Sequence, residues 1–230
     1  MSATEARDES RYDPMCDPDK LARWGLVVRQ RLDALPAAER VDVADAEMYV
    51  VPGFLRKADC KPIIQTINSR AEPSPMYRGV ARDDFRTSFT HHFEFDDPLT
   101  HQVDEYIADL LGIDLAYSER IQGQRYQVGQ QFRHHHDFFH LGEGYWQEEA
   151  KRGGQRTWTA MIFLNEPKEG GETDFPKLGI ALRPQAGTLV AWNNMDRAGR
   201  PNMKTIHAGT PVRRGIKHVI TKWFRQELWA

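Results

Sequence analysis

The chain has 230 residues, 28% charged and 40% hydrophobic, with 33 acidic against 31 basic side chains and a formal charge of −2. That is the composition of one ordinary globular domain, long enough to bury roughly 70% of its unfolded surface without disulfides or a structural metal. It excludes a disulfide scaffold and a membrane span of ~18 apolar residues, and it gives no electrostatic reason to expect nucleic acid, leaving a local basic patch as the one route to RNA.

Residues 1–20 are polar and proline-punctuated, with Glu5, Arg7, Asp8, Glu9, Arg11, Asp13 and Asp17 and no apolar run of secretory-signal length, so a disordered tail is expected. Cys16 and Cys60 lie far apart, form no C-x-x-C pair and favour a reducing compartment, the cytoplasm. Residues 21–45 read as a helical extension. Within it Leu21, Trp24, Val28, Leu32 and Leu35 recur at the three- and four-residue steps of one buried helix face over 21–35, with Val27 widening the stripe. The exposed face of that helix leaves sheet packing, a dimer contact and partner recruitment equally open.

Residues 46–55 read as a strand running into a Pro-Gly turn, 57–69 as a helix on Cys60, Ile63, Ile64 and Ile67, and 103–111 as another helix. After Gly112 the pattern changes to short β-type runs, with strands predicted over 121–128, 157–164, 188–192 and 218–224. Helices first and many short strands later predict a mainly β fold with flanking helices, a sandwich or jelly roll buttressed by the N-terminal helices. The polar stretches 69–86 and 141–155 are candidate lids or binding loops. Gly170-Gly171-Glu172-Thr173 reads as a hairpin turn, because no lysine-bearing strand-to-helix context makes it a phosphate loop. Trp158, Trp192 and Trp223 sit in β-type segments where core packing is the default, with at least one expected to line a pocket.

Four of the 9 histidines, His134, His135, His136 and His140, fall in the segment 133–140 together with Asp137. Side chains alternate along a strand, so His135 and Asp137 project to one face and His134 and His136 to the other. Such an H-x-D pair, completed by a distant histidine, makes the 2-His-1-carboxylate set that leaves positions open on a non-heme Fe(II). An exposed histidine patch is the bland alternative. His207 is the strongest third ligand, because it ends an apparent strand 204–207 and is followed ten residues later by Lys217, a cation placed to pair with the remote carboxylate of a chelated dicarboxylate. His91 and His92, beside Phe93 and Phe95, read as packing or surface residues.

These residues together resemble the Fe(II)- and 2-oxoglutarate-dependent dioxygenases, and among them the prolyl 4-hydroxylase type. The resemblance covers most of residues 50–226. It includes Phe54-Leu55, Arg86-Thr87-Ser88, Arg125-Tyr126, Gly129-Gln130, the runs 132–137, 153–156 and 170–176, Phe163-Leu164-Asn165, His207-Ala208-Gly209, Gly215-x-Lys217 and Thr221-Lys222-Trp223. It implies a double-stranded β-helix (jelly roll) core over a dioxygenase domain at 46–230, with His135, Asp137 and His207 binding Fe(II) and Lys217 pairing with the distal carboxylate of 2-oxoglutarate. Tyr126 and Thr159 match positions that hydrogen-bond the co-substrate or line its pocket. Glu119, Arg156 and Trp223 match peptide-substrate contacts, and 141–154 matches the loop that closes over the substrate. O2 is the implied second co-substrate, with ascorbate as an optional reductant.

The sequence departs from many relatives at Phe132 and Phe163, where they carry tyrosine, so two hydroxyl groups are missing. Asp137 is kept where related halogenases have a small residue, which favours hydroxylation. The resemblance thus implies hydroxylation of an unactivated C–H bond with release of succinate and CO2, foremost of a peptidyl proline in a protein or peptide. The alternatives are a free amino acid or other small molecule as substrate, or a non-catalytic binding module on the same scaffold. A binding module has no physical need of three ligands and Lys217.

Overall fold

The computed structural model describes residues 13–75 and 84–230. Residues 1–12 of the expected tail and 76–83 of the polar stretch 69–86 lie outside the described residues. From Asp13 onward the tail expectation is corrected. Pro14–Cys16 form a short 3-10 turn, and Asp17 caps helix α1 (Pro18–Asp33), its carboxylate accepting from the amides of Asp19 and Lys20 with Pro18 in the first turn. The helix therefore starts before its apolar stripe does, because a polar cap followed by proline is a helix start. The segment is tied down by Gln155 N–H on the Met15 carbonyl at 2.9 Å and Gln226 Nε2 on the Pro14 carbonyl at 2.8 Å.

The remaining elements follow as β1 (Glu39–Arg40), β2 (Met48–Val51), α2 (Lys57–Arg70), β3 (Glu72–Pro73), β4 (Phe89–His92), α3 (His101–Leu111), β5 (Gln122–Tyr126), β6 (Phe132–His135) and α4 (Trp146–Lys151). They continue with β7 (Arg156–Phe163), β8 (Glu169–Gly170), β9 (Thr173–Phe175), β10 (Ile180–Leu182), β11 (Leu189–Asn193), β12 (His207–Gly209), β13 (Val212–Arg214) and β14 (Lys217–Arg225). One sheet runs β1-β2-β11-β7-β14-β5-β4-β3, a second β10-β9-β12-β6, and β13 pairs with β8, with antiparallel strand pairing throughout. This is the double-stranded β-helix core with helices packed against its large sheet.

Period-two alternation divides each central strand between two cores. Trp158, Ala160 and Ile162 of β7, Leu189 and Ala191 of β11, and Ile220 and Phe224 of β14 pack with Val28 and Leu32 of α1, Ile63 and Ile67 of α2 and Ile107 of α3. The intervening residues Met161, Phe163, Val190, Trp192 and Val219 join Tyr126 and Phe175 in a second cluster contributed by both sheets. Fully burying Leu32 is worth about 1.5–3 kcal/mol, so α1 is an integral part of the core. On β14 this alternation puts Lys217, Val219, Thr221 and Trp223 on the inter-sheet face.

One further local expectation is corrected. Gly170-Gly171 is no hairpin turn: β8 pairs with β13 while β9 pairs with β10 and β12, so the glycines carry the chain from one ladder to another. Both have positive φ, 74° and 76°, and a Cβ on Gly170 would lie 2.3 Å from the Pro211 carbonyl oxygen, which only glycine avoids. The stretch 141–155 holds α4, whose Trp146 is buried and donates its indole N–H to Asp13 at 2.6 Å, so it is anchored to the N-terminal segment. Among the described residues no helix is long and apolar enough to cross a membrane.

Candidate metal centre

His135 closes β6, and its register partner across the small sheet is His207, which opens β12. His207 therefore begins a strand instead of ending one, because Met203–Thr205 coil into a 3-10 turn capped by the Asn202 side chain. Asp137 lies just beyond β6. Its Oδ1 is 3.7 Å from His135 Nε2 and 3.9 Å from His207 Nε2, and one ligand atom from each of the three residues lies within 4.8 Å of the others. His134 turns away toward Asp174, and His136 Nε2 faces the Met203 carbonyl, as strand alternation requires.

The backbone fixes the tautomer of both ligand histidines. His135 Nδ1 is 2.8 Å from the Arg133 carbonyl and His207 Nδ1 is 3.0 Å from the Thr205 carbonyl. A carbonyl only accepts, so each Nδ1 carries the proton and each Nε2 presents a lone pair to the centre. Burial, joined by the neighbouring His207, pushes His135 well below the ordinary histidine value and keeps it neutral. Burial opposes ionisation of Asp137, but His207, His135 and Arg156 outweigh it and hold the carboxyl below its ordinary value. Two imidazole nitrogens and one carboxylate oxygen are the donor set that suits Fe(II) with open positions.

A small cavity of about 50 Å³ joins the triad to Tyr126, Thr173, Gly209, Lys217 and Thr221. Lys217 is buried, its ammonium 3.4 Å from the Thr173 hydroxyl and 5.4 and 5.5 Å from the ring centres of Tyr126 and Phe163. Gly209 keeps this space clear, since a Cβ there would stand 3.8 Å from Tyr126 and 3.9 Å from Lys217 Nζ. A small dicarboxylate fits the chemistry of the cavity, with one end toward the triad and the other on the ammonium.

A larger cavity of about 630 Å³ opens on the other side of the triad and is lined by Glu119, Arg156, Trp223, Phe139 and Arg86 among others. Arg156 meets Glu119 through two bonds of 2.6 and 2.8 Å, and its guanidinium lies 4.1 Å over the Trp223 ring. Burial works against the ionised Glu119, yet Arg156 and Arg225 outweigh it and hold the carboxyl below the ordinary glutamate value. The three residues matched to substrate contacts thus form one wall. Thr159 stands elsewhere: its hydroxyl donates to Asp137 Oδ2 at 2.8 Å, and it lines neither cavity.

Three participants had no role assigned from sequence. Arg86, inside the Arg-Thr-Ser run, lines both cavities, donates to Ser88 and Thr90 hydroxyls and lies 4.7 Å over the Phe132 ring. Phe132 in turn stacks on His135 at 3.6 Å and 15°. Asn194 reaches Thr159 from the end of β11, where nothing in an Asn-Asn pair announces it.

The family model described as the 2OG-Fe(II) oxygenase superfamily matches residues 121–225. Prolyl 4-hydroxylase 1 of Arabidopsis thaliana is 31% identical over 201 residues, covering 78% of this chain and 69% of that protein. Prolyl 4-hydroxylase subunit alpha-1 of Mus musculus is 29% identical over 195 residues, covering 80% of this chain; the chain spans 33% of that relative's length. Among solved structures, the viral collagen prolyl hydroxylase of Paramecium Bursaria Chlorella virus-1 in its 2OG complex aligns with TM-score 0.62 and 26% identity, covering 77% of this chain and 95% of that one. A Pseudomonas putida prolyl-4-hydroxylase shares the fold at TM-score 0.55 and 18% identity, covering 86% of this chain and 98% of that one. The chain belongs to the 2OG-Fe(II) oxygenase superfamily and is related to the prolyl 4-hydroxylases.

Proposed function

We propose that the protein is an Fe(II)- and 2-oxoglutarate-dependent hydroxylase acting on a proline in a peptide or protein. The observation that carries this reading is that His135, Asp137, His207 and the buried ammonium of Lys217 line one cavity. When bound by the triad, Fe(II) supplies activation of O2 and oxidative decarboxylation of 2-oxoglutarate to succinate and CO2, which drives insertion of oxygen into a C–H bond. Lys217 binds the far carboxylate, and Tyr126 closes the wall opposite it.

On the other side, Arg156, held by Glu119 and stacked on Trp223, is a rigid polar platform for a peptide backbone, and the cavity is far larger than a free proline needs. Holding the target near the centre and excluding water are positioning tasks. A free amino acid is the second reading, and competition between proline-containing peptides and free proline separates the two. We take residues 46–230 as the catalytic unit, with 21–45 packed on it. The two free, buried cysteines support a reducing compartment such as the cytoplasm.

The test is anaerobic titration with Fe(II) and 2-oxoglutarate. A visible charge-transfer band that weakens in Lys217→Ala is expected, and its absence from a folded wild type would sink the reading.

A further inference from the structure

We infer that Asn194 and Thr159 form a clamp that makes Asp137 a single-oxygen ligand and so sets how many coordination positions the centre keeps open. The inference rests on the iron reading above and concerns residues that touch neither metal nor substrate.

The two oxygens of Asp137 have different surroundings. Oδ1 faces the Nε2 atoms of His135 and His207, while Oδ2 accepts from the Thr159 hydroxyl at 2.8 Å. An ionised carboxylate only accepts, so the single hydroxyl proton of Thr159 points to Asp137 and the oxygen of Thr159 is left to accept. Asn194 Nδ2 fills that place at 3.0 Å. The charge of the ligand thus dictates the orientation of an amide two side chains away.

That orientation has a visible cost. Asn194 is fully buried, and its Oδ1 has no hydrogen-bond partner among the described residues, the kind of orphaned acceptor that folded proteins rarely keep. Turning the amide would place Oδ1 against a hydroxyl whose proton is already committed. The backbone holds the residue in place as well, through Asn194 N–H on the Thr157 carbonyl at 2.8 Å and Asn202 N–H on the Asn194 carbonyl at 3.0 Å. With Oδ2 engaged, only Oδ1 is presented to the centre. A carboxylate free to rotate can offer both oxygens and occupy a position that the co-substrate or O2 requires. Thr159 and Asn194 are therefore positioning residues.

The experiment measures Mn(II) binding and the Fe(II)–2-oxoglutarate charge-transfer band in the full chain, for wild type, Thr159→Val, Thr159→Ser and Asn194→Ala, with apo-state circular dichroism to check folding. Thr159→Val is expected to weaken Mn(II) binding about 10–100-fold and shift the band, Asn194→Ala to do the same to a lesser degree, and Thr159→Ser to restore both. If Thr159→Val does not fold, the comparison of Asn194→Ala with Thr159→Ser carries the test. Wild-type affinity and an unshifted band in the folded Val and Ala variants would overturn the clamp alone. Failure of wild type to bind either metal would overturn the iron reading and the clamp with it.

Discussion

Lys217 and Tyr126 stand opposite each other as register partners of β14 and β5, with the ammonium 5.4 Å from the centre of the phenol ring. Burial lowers the lysine from 10.5 to about 7, against the smaller opposing pull of the Glu172 carboxylate. Between those values the unfolded chain holds a proton that the folded chain does not, so the stability of the ligand-free protein rises with pH across that window. Urea unfolding over the window is expected to show this rise in wild type and not in Lys217→Met. The affinity for 2-oxoglutarate follows the opposite trend, falling as pH climbs past the lysine's value, because only the ammonium pairs with a carboxylate.

Replacing Asp137 or His207 by alanine removes one of three donors from a site whose remaining two point at the same place. Turnover, read as succinate formed and as a mass gain of one oxygen on substrate, is expected to vanish while circular dichroism stays unchanged. Full activity in both variants would refute the assignment.

Arg156 is held by Glu119, which also meets Arg225 at 3.3 Å, and Arg225 is fully buried against Glu149 at 2.6 Å. Glu119→Ala leaves two guanidinium groups without this carboxylate, which is expected to cost about 3–5 kcal/mol in denaturant unfolding. Glu119→Gln keeps the volume and loosens Arg156 from the Trp223 face. Its kinetic signature is a higher KM for peptide with the KM for 2-oxoglutarate unchanged.

On the far side of the same strand Lys222 is buried against Asp104 of α3 at 2.8 Å. Removing one partner strands a buried charge, so Lys222→Met is expected to destabilise by about 3–5 kcal/mol, and the double change Lys222→Met/Asp104→Leu to recover most of it. A double variant no more stable than the single one would show that the pair is not the cause.

Gly123 in β5 lies so close to the helix layer that a Cβ would come within 2.6 Å of Ile67 and 2.9 Å of Phe93. Gly123→Ala is expected to lower stability by about 1–3 kcal/mol through overpacking, visible as a reduced unfolding midpoint.

The helices were legible because their stripes are one-sided: the spacing of Cys60, Ile63 and Ile67 predicts α2 to within a residue. The central strands were legible by composition and bounding turns but not by alternation, since β7 and β14 are buried on both faces and polar residues such as Lys217, His218 and Lys222 fall on neither face alone. The ligands showed through because histidine and aspartate two apart have few other uses on a strand. The partner of Thr159 was hidden, since its distance to Asp137 depends on how β7 passes behind the end of β6, and spacing carries no trace of that. The start of α1 was missed because its signal is polar, an aspartate cap followed by proline, inside a segment whose composition resembles a loose tail. His207 opens its strand because the Asn202 side chain caps a tight turn just before it, and Lys-Thr-Ile-His alone does not distinguish turn from strand.

β14 lies between β7 and β5 at the middle of the large sheet, and every other described strand precedes it in the chain. During synthesis β7 and β5 therefore leave the ribosome with their inner edges unmatched, and the sheet has no continuous centre until residues 217–225 emerge. Until then two open edges are available to a neighbouring nascent chain. A ribosome stalled before Lys217 would release a polypeptide that holds all three donor side chains yet lacks both the strand that joins the sheet and the ammonium that receives the co-substrate. Its quality control thus comes ready-made: a chain able to fold is also one able to bind.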